Sequence, residues 1–299
     1  MDLHLLGQNL VNGILAGGIL AVVALGFSLV WGIMNIINLA HGSFIMLGAY
    51  ITWQLYTSLH IDPFLLIPVS FVALFALGYL IQRFLINWVA RAPVLTTFLL
   101  TFGLSILIGN IALLIWTSDT RGVTTPYSGS NFTLIGITVP WVKLYTFGAA
   151  LIITAIMQAF LTRTRTGRAI RATSMDIGAA QLSGVRVASI YAVTFGLGAG
   201  LAGVAGTLIS LSYSFNPAFG ESFLIKSFVV CVLGGLGSVE GALLGGIVYG
   251  IIAAFASQLD FTVAGQHISG SGLQDAVALI VLLLVLIFRP TGIMGKATA

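Results

Sequence analysis

Charge is the scarcest thing in this chain. Only 7% of its 299 residues are Asp, Glu, Lys or Arg, against roughly 25% in ordinary soluble domains. Between Asp2 and Asp62 there is none at all. A soluble domain of this length needs a far more polar exterior. One bilayer crossing takes ~20 mostly apolar residues, so that single stretch is long enough for two. Cysteine is reduced to Cys231, which excludes an intrachain disulfide and any paired-cysteine metal or redox site. Cys231 reads as a small buried apolar residue. Proline is also scarce (7), while glycine is abundant (36), a balance that suits closely packed transmembrane helices. No basic n-region precedes the first apolar run, so residues 10–30 read as a retained helix rather than a cleaved signal.

What the chain does contain is long, continuous apolar runs. A transmembrane β-barrel would show short segments of alternating polarity, so the expectation is an all-α polytopic membrane protein. Candidate spans are 10–31, 34–56, 64–82, 94–116, 142–161, 189–211, 224–239, 241–258 and 273–288. Residues 224–258 are ambiguous, because Gly234-Gly-Leu-Gly-Ser-Val-Glu-Gly241 breaks a helix. Two full spans or a pair of re-entrant or broken half-helices both fit, and the expected count is eight to ten. No soluble domain is evident, so residues 1–299 read as one transmembrane domain.

The positive charge is local. Residues 163–186 hold Arg163, Arg165, Arg168, Arg171 and Arg186 against Asp176 alone. Together with Arg83, Arg91, Arg289 and Lys296 these follow the positive-inside rule if the N-terminus is outside and the C-terminus cytoplasmic. The excess is therefore a topology signal and not a nucleic-acid footprint. Within the loop at 162–188, Thr173 or Ser174 can cap a short helix beginning near Met175, with Asp176 in its first turn. Gly184 would end it.

Polar side chains inside the spans are few. Asn35, Asn38 and His41 recur at helical spacing, with Ser28 one heptad earlier. Thr97, Thr101, Ser105 and Gly109 form a second, small-residue face. Both stripes admit two readings: the lining of a translocation pathway, or interhelical hydrogen bonds worth roughly 0.6 kcal/mol each. Glu221 and Asp275 read as helix ends, Glu240 as a turn and Lys226 as snorkelling. Enzyme signatures are missing: there is no H-E-x-x-H, no phosphate-binding G-x-x-x-x-G-K-[ST], and no metal-like spacing among the four His. No cofactor or metal site is expected.

Gly178-Ala-Ala-Gln-Leu-Ser-Gly184 resembles the EAA---G coupling motif of ABC importer permeases, with Gly178 where the motif has Glu. Four other passages, in order along the chain, resemble the branched-chain amino acid (LivH-type) permease family. They are Ala24-Leu-Gly-Phe-Ser-Leu-Val-Trp-Gly-Ile-Met-Asn-Ile-Ile-Asn-Leu-Ala-His-Gly42, Arg165-Thr-Gly-Arg-Ala-Ile-Arg-Ala-Thr-Ser174, Val232-Leu-Gly-Gly-Leu-Gly-Ser-Val-Glu-Gly-Ala242 and Phe288-Arg-Pro-Thr-Gly-Ile-Met-Gly295. The resemblance implies a type II-like importer bundle in a bacterial inner membrane. It also implies three kinds of partner: a second permease (LivM-like, or a second copy), two ABC ATPases and an extracytoplasmic substrate-binding protein. Arg168, Arg171, Asp176, Gly178, Ala179, Ala180 and Gly184 would form the ATPase-coupling element. Asp176 would be the carboxylate in place of the missing Glu. The cargo would be a branched-chain or other neutral amino acid, with urea or short amides as the alternative. An ATP-independent channel or secondary transporter is the competing class, but such carriers usually need ionisable groups within their spans.

Overall fold

The computed structural model describes residues 3–89, 93–134, 136–259, 261–263, 266–268, 270–289 and 291–295. Arg91 and Lys296 lie outside them. The first helix, α1 (Leu3–Met34), runs 32 residues, or about 48 Å at 1.5 Å per residue. That exceeds the ~30 Å apolar core of a bilayer. The chain leaves the helix at residues 35–40 and resumes as α2 (His41–Leu59). Then come α3 (Ile67–Ile81), a π-helical turn (Gln82–Ile86), the short α4 (Asn87–Val89) and α5 (Val94–Trp116). A two-stranded antiparallel hairpin, β1 (Asn131–Leu134) and β2 (Ile137–Pro140), leads into α6 (Trp141–Arg163). The arginine segment holds α7 (Arg165–Met175) and α8 (Ile177–Leu182). The remainder is α9 (Val187–Ser210), α10 (Phe219–Gly234), α11 (Val239–Ala256), the hairpin β3 (Phe261–Val263) and β4 (Gln266–Ile268), and α12 (Gly270–Phe288).

Among the described residues, six helical stretches are long and apolar enough to cross a membrane: those beginning at His4, Ile67, Leu95, Trp141, Val187 and Val239. The helices α2, α10 and α12 are shorter or more polar. With 16 residues, α10 reaches only about 24 Å. It ends at a break over 235–238 with Gly235 (φ 108°) and Gly237 (φ 78°) left-handed. The glycines thus separate two helices within 224–258, α10 and α11, of which α11 is long and apolar enough to cross a membrane.

The inner helices are α9 and α1, almost wholly enclosed. α9 lies against α1, α2 and α3, and α1 against α9 and α11. Small residues make this possible. A Cβ added at Gly17 would stand 2.6 Å from Ile247 Cα, and one at Gly250 would stand 2.7 Å from Gly17 Cα. The two backbones thus meet with no side chain between them. Phe44, Tyr50, Phe195 and Leu201 fill the space around α9.

Residues 117–140 look like a plain polar loop in the sequence, but they are ordered across one end of the bundle. Gln8 of α1 donates to the Thr138 carbonyl and accepts from the Thr138 N–H, both at 2.8 Å. Arg121 and Phe215 exchange two backbone hydrogen bonds at 2.8 Å. Tyr56 donates to the Thr124 carbonyl (2.7 Å), and Tyr127 to Asp62 Oδ2 (3.0 Å). Burial, followed by the bond to Asp62, raises the Tyr127 phenol well above its usual range, so it remains a donor at neutral pH. The arginine segment lies at the opposite end of α6 and α9 from this cap.

Gly17→Leu overpacks a backbone contact and is expected to cost about 1–3 kcal/mol. It should therefore lower the thermal midpoint in detergent. Gly103→Ala, with open space around its site, should leave the midpoint unchanged or raise it.

Candidate translocation and coupling sites

Asn35, Asn38 and His41 do not share a helical face, as their spacing predicted. Met34 ends α1 and Asn35 takes a left-handed conformation (φ 51°), which Asn tolerates better than most residues. Asn35 is exposed. The next residues run without helical bonding, and Asn38 Oδ1 accepts from the Ala40 N–H (3.1 Å) just before α2 begins. Asn38 and His41 are both buried. His41 Nε2 donates to the Val23 carbonyl (2.9 Å), which leaves Nδ1 buried with no partner. Its ring sits edge-on to Phe27, 5.6 Å between centroids.

The α5 stripe is held against this break. The Thr101 hydroxyl lies 3.1 Å from the Ile37 carbonyl, and its oxygen accepts from the Leu39 N–H at 3.3 Å. Ser105 Oγ meets Ser43 Oγ at 2.9 Å. Thr97 is also buried, one turn earlier. Of the two stripes inferred separately, Thr101 and Ser105 of α5 meet the 37–43 passage, whereas Asn38 and His41 turn to backbone groups of Ala40 and Val23 and Asn35 is exposed. Irregular backbone enclosed in an apolar bundle needs protein partners; Thr101 accepts from the Leu39 N–H, and its single proton is shared between the Ile37 carbonyl and that of Phe98 at 3.0 Å. Ser28 does the same at the other break, accepting from the Gly237 N–H (3.0 Å). The last carbonyls of α10 are met by the C-terminal passage: Ile293 N–H bonds Leu233 and Met294 N–H bonds Gly234, both at 2.9 Å.

The coupling element also differs from its sequence reading. It contains two helices, not one. Thr164 caps α7, accepting from the Gly167 N–H (3.0 Å), so Arg165, Arg168 and Arg171 are helical. Thr173 and Ser174 are not caps; their hydroxyls bond back to Ala169 and Arg171. Asp176 ends α7 and caps α8, its Oδ1 accepting from the Ala179 N–H at 2.9 Å. At the far end of α8, Gly184 is left-handed (φ 82°), and Val185 N–H reaches the Ala180 carbonyl (3.0 Å), a C-terminal cap of the expected kind. Arg163, Arg165, Arg168, Arg171 and Arg186 are all exposed, and no ion pair involves them among the described residues. Gly178 and Ala179 are exposed, while Ala180 is buried. Around it Met175 (87%), Ile177 (45%) and Leu182 (92%) project apolar side chains outward.

One site was missed. Lys226 and Asp275, read as a snorkelling lysine and a helix end, form an ion pair at 3.5 Å, and Tyr249 donates to the same Asp275 Oδ1 at 2.7 Å. Lys226 and Tyr249 line a chamber of about 490 Å³ that also receives Asn9, Asn12 and Lys143. With Asp275 these residues come from five helices and share no linear motif. Only their rarity as polar groups in apolar runs could have marked them.

The match to known proteins covers the chain from the second turn of α1 to the end of α12. Residues 9–288 match the family model described as branched-chain amino acid transport system / permease component. The chain belongs to that permease family. It is 34% identical to the high-affinity branched-chain amino acid transport system permease protein BraD of Pseudomonas aeruginosa, over 97% of this chain and 95% of that one. It is likewise 34% identical to LivH of Escherichia coli K12, with the same coverage. A probable branched-chain amino acid transport permease protein LivH of Methanocaldococcus jannaschii is 29% identical over 97% of this chain and 93% of its own. No solved structure matches. Family membership makes this permease a transport subunit rather than an enzyme.

Two outcomes are expected from these geometries. Thr101→Val leaves the 37–39 backbone short of partners, so hydrogen exchange at the Leu39 amide should accelerate by about threefold for a 0.6 kcal/mol bond. Asp176→Ala removes the cap shared by α7 and α8, at about 1 kcal/mol, and should reduce co-purification of the ATPase partners that the family resemblance implies. Asp176→Asn keeps the cap, so the same loss in that variant would assign the effect to the carboxylate charge.

Proposed function

We propose that this chain is the permease subunit of an ATP-driven importer for branched-chain or other neutral amino acids, working by alternating access. One observation carries the reading: an exposed basic and apolar element, α7–α8, ends a bundle that is otherwise nearly uncharged. Five arginines without an ion pair among the described residues, beside Met175, Ile177 and Leu182, fit a soluble protein partner better than lipid. That partner would be an ABC ATPase, two copies of which would dock here.

The arginine end is then cytoplasmic, and Arg83 and Arg289 fall on the same side. The capped end, with the N-terminus, faces outward, where a substrate-binding protein would deliver its cargo. Counting α1, α2, α3, α5, α6, α9, α10, α11 and α12 gives nine passages, an odd number that leaves the C-terminus inside. Residues 1–299 form one permease domain with a coupling loop at 162–188. A second permease, LivM-like or a second copy, completes the pore in the bacterial inner membrane.

In this mechanism ATP binding closes the ATPases and carries α8 with them. α8 pivots on Asp176, the single residue that joins it to α7. Rigid helices in contact through glycine can then rock without side chains having to repack. The break at 35–40, with Asn38, His41, Thr97 and Thr101, is where the moving spans would part.

The first test is purification of the tagged chain in mild detergent from its native membrane. Two ATPase chains and a second permease are expected in the complex. The chain alone, passing leucine into liposomes without ATP, would overturn the proposal in favour of a channel or secondary carrier. Ala180→Glu places a charge where α8 is buried, and should abolish ATP-dependent leucine uptake while membrane insertion is retained.

A further inference from the structure

Near the capped end, α1, α6, α10, α11 and α12 surround the chamber of about 490 Å³, a volume typical of small-molecule sites. Its position is fixed by its walls. Asn9 and Asn12 follow Gln8, which is bonded to the β2 residue Thr138, and Lys143 stands three residues beyond the end of β2.

The chamber holds two kinds of polar group. On one wall, Lys143 reaches only Asn12 Oδ1, at 3.4 Å, and has no carboxylate within ion-pair distance among the described residues. Asn9 is 7% exposed, and its Nδ2 has no partner. A half-buried ammonium and a buried amide N–H lining one space are donors lacking an oxyanion. On the α10–α12 side, Lys226 stacks on Phe223 (5.2 Å) and pairs with Asp275, which does not itself line the chamber but meets two residues that do: Lys226 and the Tyr249 hydroxyl both fall on Oδ1 of its half-exposed carboxylate, leaving Oδ2. That carboxylate can accept a further cation. Ile19, Leu20, Phe219 and Phe223 give the same space an apolar surface.

We infer that the chamber receives the zwitterion of a free aliphatic amino acid. The carboxylate goes to Lys143 Nζ and Asn9 Nδ2, the ammonium to Asp275, and the side chain lies on the apolar wall. This rests on the import reading above and adds to it a place on the path that precedes the break at 35–40. A phospholipid ethanolamine headgroup carries the same two charges, so the test separates the two sources.

Cys231 is fully buried, and Ser222 is exposed at the chamber, so Ser222→Cys offers one reactive thiol there. The variant is examined in its native complex, in right-side-out membrane vesicles stripped of binding protein, with a membrane-impermeant thiol reagent. L-Leucine should slow labelling by about threefold at twice its Kd, by mass action. L-Leucinamide, which lacks the carboxylate, and 4-methylpentanoate, which lacks the ammonium, should not. Protection should vanish in the added Lys143→Met variant and persist with Lys143→Arg, which controls for misfolding. If cells carrying the wild-type chain import leucine but the thiol is unlabelled, or its labelling is indifferent to leucine, the inference falls and the importer stands. Protection by phosphoethanolamine equal to that by leucine would assign the chamber to lipid and likewise overturn the inference. Cells that import no leucine would remove the importer reading itself.

Discussion

Backbone touching backbone is what the rest of this bundle depends on. Lipid is as apolar as leucine, so helices in a membrane gain little from hiding aliphatic side chains against one another. What remains is close packing, and α1 and α11 achieve it by bringing Gly17 and Gly250 into direct contact. The enclosed α9 meets three neighbours in the same fashion. These contacts have low chemical specificity and high geometric specificity. They tolerate sliding along a smooth surface, and they do not tolerate an added methyl group.

The second constraint follows from interrupting helices inside such a bundle. Every interruption leaves N–H and C=O groups that water cannot reach. At residues 35–40 the side chains of Asn38 and Thr101 take up part of that demand; at 235–238 Ser28 and the 293–294 backbone do so. Ser28, Asn38 and Thr101 are thus placed where the interrupted backbone needs them. The same economy brings together two passages far apart in sequence, Val232–Ala242 and the residues before Gly295, whose resemblance to the family had no visible reason in the linear chain.

Long, locally determined features were legible in the sequence. The helical class, the glycine interfaces and the arginine segment with its terminal Gly184 all follow from runs or spacings within a few turns. The helix break near Gly234 was visible because consecutive glycines cannot hide. The break at Asn35 was not, because the polar residues there sit at spacings that also suit a helix, and only tertiary partners such as Thr101 decide against it. The α7–α8 pair was half visible: Asp176 was placed in a first turn when it is the cap itself, because Thr173 and Ser174 are equally good capping residue types. The chamber was invisible, since Asn9, Lys143, Lys226 and Asp275 come from four helices that pattern alone cannot bring together.

The α1–α11 contact has a consequence for how the protein is made. Gly17 leaves the ribosome more than two hundred residues before Gly250. At 5–20 residues per second, the first helix waits on the order of tens of seconds for its widest neighbour. During that interval its glycine face is open to lipid or to whatever attends insertion. Gln8 likewise waits for Thr138 before the end cap can close. The helix inserted first is therefore among the last to be fully packed, so maturation of this permease depends on completing its C-terminal half.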